Sequence, residues 1–93
     1  MTALLKCEVT RGPRNGYKTI GVASIEGYSE YMSIEDRFLV PQGETFLLPV
    51  QLIGQNKVRH IYLVQLPVEA DSGANRVWVS DEIVVDTPDQ VHA

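Results

Sequence analysis

The chain has 93 residues, is 44% apolar and 22% charged, and carries a formal net charge of −4 at pH 7. That length supports one domain, because a single hydrophobic core needs roughly 100 residues, and an ordinary apolar fraction with modest charge excludes a disordered chain. The acidic balance argues against a dedicated binder of nucleic acid or anionic membrane, whose affinity rests on clustered cations.

Twelve Val and six Ile against eight Leu and five Ala favour the pleated strand over the helix. Residues 3–11 predict a half-buried strand, with Leu5, Cys7 and Val9 on one face and Lys6, Glu8 and Thr10 on the other. Residues 12–16, GPRNG, supply the dihedral angles of a tight turn. Residues 17–26 predict a second strand, with Gly21 as a bulge or a point of close approach. After Gly27 the pattern weakens. A short strand through Tyr31, one helical turn at 34–36 and a short strand at 37–40 are expected, since Pro41 and Gly43 close any helix early.

Residues 45–53 predict a strand with Phe46, Leu48, Val50 and Leu52 on one side. Pro49 has no N–H to donate, so this strand bends there or lies at an edge. Gly54-Gln55-Asn56 reads as a hairpin turn into a strand over 57–66, which Pro67 ends. Residues 69–75 are expected as a polar loop tip, 76–79 as a short strand, 80–82 as a tight turn and 83–85 as a last strand. The tail, 87–93, has no apolar pattern and should fray, leaving 1–86 as the domain.

These elements predict an all-β domain of five to seven short strands with one short helical turn. A small, partly open barrel fits this length better than a sandwich of two full sheets. The final third runs long strand, loop tip, RVWV, SDE and IVV. This order resembles the end of the Src-homology-3-like (SH3-like) barrel, in which one 3₁₀ turn joins the last two strands. The loop-rich stretch 12–36 would match that fold's long first loop. Tyr28 and Tyr31 do not stand in the Ala-Leu-Tyr-Asp-Tyr order of its peptide-binding members. The resemblance therefore implies an architecture and no proline-rich ligand.

Chemistry is sparse in this sequence. Cys7, His60 and His92 are the sulfur and imidazole ligands, in no close pair, so no metal site and no cofactor is expected. A single Cys cannot form an intramolecular disulfide, and its alternation places it inward as a small hydrophobe. No nucleophile elbow or phosphate loop is present, and no enzyme is expected. The apolar run before Lys6 is too short for a signal peptide or a membrane span, which makes the cytoplasm the expected location.

Two candidate surfaces remain. Tyr28, Tyr31 and Trp78 could form an aromatic face for a partner protein, with Trp78 turned outward if Val77 and Val79 turn inward. Arg11, Arg14 and Lys18 bracket one turn and could converge on a phosphate or an acidic surface. The expected function is a non-enzymatic protein-interaction or accessory module. Weak binding of nucleic acid or phosphate through the basic turn is the alternative.

Overall fold

In the computed structural model, which describes residues 1–86, alternating apolar positions become nine strands. They are β1 (Thr2–Lys6), β2 (Glu8–Arg11), β3 (Tyr17–Ala23), β4 (Ser29–Glu35), β5 (Val40–Gln42), β6 (Thr45–Asn56), β7 (Ile61–Gln65), β8 (Arg76–Ser80) and β9 (Val84–Asp86). Single 3₁₀ turns lie at Asp36–Phe38 and Asp81–Ile83. The described chain is all-β. The first candidate strand divides at Cys7, and the short strand expected at 37–40 lies instead at Val40–Gln42. The expected frayed tail, 87–93, lies outside the described residues.

All pairing is antiparallel, in two sheets. The larger has the order β8-β7-β6-β1-β9, with β5 also on β6, and the smaller is β2-β3-β4. Strand pairing does not close them into a barrel. The alternation read from the sequence decides what is buried. Leu5, Ile20, Val22, Met32, Leu48, Val64 and Val79 are sealed from solvent, and Cys7, Val9 and Phe46 pack against that core. Among the described residues no helix is long and apolar enough to cross a membrane.

β6 organises the larger sheet by changing partners along its length. On one side it pairs with β5 up to Leu47 and with β7 from Gln51 onward. On the other it pairs with β1 from Leu47 to Gln51. Pro49 sits in the gap between β5 and β7, where its missing N–H removes no ladder bond.

The turn expected at Gly54-Gln55-Asn56 falls elsewhere. Those residues stay in β6, paired with Leu63, Tyr62 and Ile61, and the chain reverses over residues 57–60. The Asn56 side-chain oxygen accepts the Arg59 N–H at 3.1 Å, and His60 takes a left-handed φ of 57° to complete the reversal. Gly54 serves packing, since a Cβ there would lie 3.1 Å from the Cβ of Leu63. The helical turn expected at 34–36 also moves, to Asp36–Phe38, because β4 remains paired with β3 as far as Glu35.

The stretch expected as a free loop tip is tied down. Ala70 is buried, and its N–H donates to the Ala74 carbonyl at 2.8 Å. The Asp71 N–H donates to the Tyr31 carbonyl at 2.8 Å, and the Ser72 hydroxyl to the buried Glu30 carboxylate.

Candidate functional site

The chain bends at Cys7, which separates β1 from β2. Continuing the β1–β6 register would set Cys7 opposite Phe46 and Glu8 opposite Thr45. The Cys7 thiol still reaches the Phe46 carbonyl, at 3.6 Å, but beyond it β2 leaves β6 and pairs with β3 alone. A cleft of about 690 Å³ opens there, with Val9, Thr10 and Arg11 on one wall and Glu44, Thr45 and Phe46 on the other. The turn at 12–16 and the start of β3 close its end.

Arg11, Arg14 and Lys18 all line this cleft, so the fold brings the three sequence-selected cations together. Their surroundings differ. Lys18 is held by Asp36 at 2.9 Å, with its ammonium 5.8 Å from the Phe46 ring centre. Arg11 and Arg14 are exposed and form no ion pair among the described residues. The Arg14 guanidinium lies 4.4 Å from the Tyr17 ring centre, which limits its motion and leaves its N–H groups free. Glu44 is the cleft's carboxylate. In an acidic chain this is a local positive site.

The aromatic residues are distributed differently. Tyr28 and Tyr31 are exposed, at 50% and 42%. Tyr31 lies over Gly21, its partner across the β3–β4 ladder, where a Cβ would meet the ring at 2.8 Å. Gly21 is thus a point of close approach, with no break in register. Val77 and Val79 turn inward, leaving Trp78 half-buried on the opposite face opposite Leu63 and beside Gly54. Tyr28, Tyr31 and Trp78 line neither the basic cleft nor the groove described next.

A second groove, of about 540 Å³, was not read from the sequence. It occupies the gap in β6 pairing around Pro49 and is lined by Tyr17, Ile34, Phe38, Leu48 and Val68 among others. Phe38 is 57% exposed, and the Arg37 guanidinium lies 4.7 Å from its ring centre. The sequence places Phe38 in a short strand over 37–40, whereas it ends the 3₁₀ turn Asp36–Phe38 with its ring turned to solvent.

Reactive groups are few. Burial pushes the Cys7 thiol above its ordinary pKa, partly opposed by a backbone hydrogen bond from Leu48. That is the reverse of what an activated nucleophile needs. His60 Nδ1 lies 3.6 Å from Asp81 in an open surface turn. No group of three or more His, Cys, Asp and Glu among the described residues is placed to hold a metal ion.

Compared with known proteins, the chain significantly matches no protein-family model, no curated protein and no solved structure.

Proposed function

We propose that this chain is a non-enzymatic protein-interaction module of the cytoplasm that takes a segment of a partner protein in the cleft between β2 and β6. The observation that carries this reading is the pair of exposed arginines, Arg11 and Arg14, lining a cleft whose walls are a strand edge and the start of β6. One 3₁₀ turn, Asp81–Ile83, joins the last two strands as in the SH3-like barrel that the sequence resembles, whereas residues 12–36, expected as that fold's long first loop, hold the paired strands β3 and β4. A half-buried, hydrogen-bonded thiol at Cys7 suits a reducing compartment.

Nucleic acid is the weaker reading of the same cations. Lys18 is engaged with Asp36 and Glu44 faces the cleft, leaving two free cations where phosphate-backbone binders use a larger array. Photo-crosslinking separates the two readings. A photoreactive amino acid at Thr10, exposed in the cleft, should give protein adducts in nuclease-treated lysate of the source cells. The same probe at Val58, 90% exposed on the far turn, should not. Adducts from neither position, equal adducts from both, or adducts to nucleic acid alone before nuclease treatment would overturn the proposal.

A further inference from the structure

We infer that the segment bound in this cleft is an extended acidic strand that adds to the free edge of β2, an inference that rests on the protein-interaction reading above. A strand has two hydrogen-bonding edges, and β2 uses one, on β3. Its other edge pairs with no strand among the described residues, which leaves N–H and C=O groups as the template that strand addition requires. The facing wall is less open, since the Phe46 carbonyl already accepts the Cys7 thiol. Thr45 and Phe46 pair with Gln42 and Pro41 of β5, while pairing with β1 begins only at Leu47. The bend at Cys7 thus leaves the open edge of β2 facing the start of β6 across one cleft.

The side chains on that edge specify the occupant. Val9 and Arg11 are two residues apart on β2 and share a face of the sheet. An added strand places its own side chains at the same period, so the residue beside Arg11 and the one two positions away beside Val9 form a pair. A carboxylate suits Arg11 and an apolar side chain suits half-buried Val9. Arg14, held by Tyr17 at the end of the cleft, extends the preference for negative charge to a second position. The four residues of β2 match an extended segment of about 13 Å. The ligand is therefore an acidic β segment with the pattern acidic–any–apolar.

The test uses blocked octapeptides on the full chain. One alternates Glu and Val with Thr between them. A second replaces each Glu by Lys, and a third keeps the first sequence but carries N-methyl groups on alternate backbone nitrogens, in either phase. The Glu peptide should slow amide exchange in residues 8–11 and 45–46. It should bind about tenfold more tightly than the Lys peptide and than at least one N-methyl phase, and Arg11→Glu should weaken it about tenfold. Equal binding of the Glu peptide and both N-methyl forms would overturn strand addition and leave the protein-interaction reading standing. So would no peptide binding together with protein crosslinks from Thr10. A single-stranded oligonucleotide that slows the same amides and displaces the Glu peptide would overturn both.

Discussion

The Ser72 hydroxyl donates a 2.6 Å hydrogen bond to Glu30 Oε1, joining the loop between β7 and β8 to β4. Glu30 is only 6% exposed and is the buried charged residue of the described chain. Beside it, the Asp71 N–H donates to the Tyr31 carbonyl, so two adjacent loop residues are anchored to one strand. Removing the hydroxyl strips a buried carboxylate of this partner. Ser72→Ala should therefore destabilise the chain by about 1–3 kcal/mol, read from urea unfolding. It should also speed amide exchange at Asp71. A change within about 0.5 kcal/mol, the range of ordinary surface substitutions, would show that water serves Glu30 equally well.

Gly12 should tolerate no side chain. A Cβ there would overlap the backbone carbonyl of Tyr17 and lie 2.8 Å from the backbone N of Lys18. The obstacle is main chain, which cannot rotate away as a side chain can. Gly12→Ala should cost about 1–3 kcal/mol, the scale of overpacking, and should shift the amide resonances of residues 9–18. Unchanged stability and unchanged resonances would contradict the close packing of this turn.

Cys7 gives a dependence on alkaline pH. Burial raises its folded-state pKa, so the folded chain keeps the thiol proton to higher pH than the unfolded chain does. The contribution is complete below the unfolded value, about pH 8.5, and is lost as pH rises through the folded value. The melting temperature of the wild type should fall more steeply above about pH 8.5 than that of Cys7→Ala. Alkylation of the native thiol at pH 7.5 should be slower than in urea. Parallel melting curves for the two proteins would contradict the assigned burial.

Trp78 packs on the outer face opposite Leu63, half-buried. Trp78→Ala should cost about 2 kcal/mol, less than the 3–5 kcal/mol typical of a fully buried Trp, so the chain should stay folded. Its affinity for a ligand of the basic cleft should be unchanged. Loss of cleft binding in a folded Trp78→Ala protein would move the site to the aromatic face.

Much of the fold is legible in short-range pattern. Leu5, Cys7 and Val9 alternate inward as read, and Val77 and Val79 orient Trp78. The period of a strand is local, so the residues that set it are adjacent. What escaped depends on distant partners. Gly54 looks like a turn residue until Leu63 packs against it. The polar run at 69–75 looks free until Glu30, forty-two positions from Ser72, accepts its hydroxyl. The cations at Arg11, Arg14 and Lys18 were readable as a cluster because one turn brackets them. The free edge of β2 was not, since it exists only because the bend at Cys7 carries β2 away from β6.

The most direct measurement of the central claim is an amide chemical-shift titration of the ¹⁵N-labelled full chain with the Glu-containing octapeptide. The account predicts that the largest changes fall on Val9, Thr10, Arg11, Thr45 and Phe46, with Ile34, Phe38 and Val68 of the apolar groove unmoved. Largest changes at Phe38 and Val68, or around Tyr28, Tyr31 and Trp78, would contradict it.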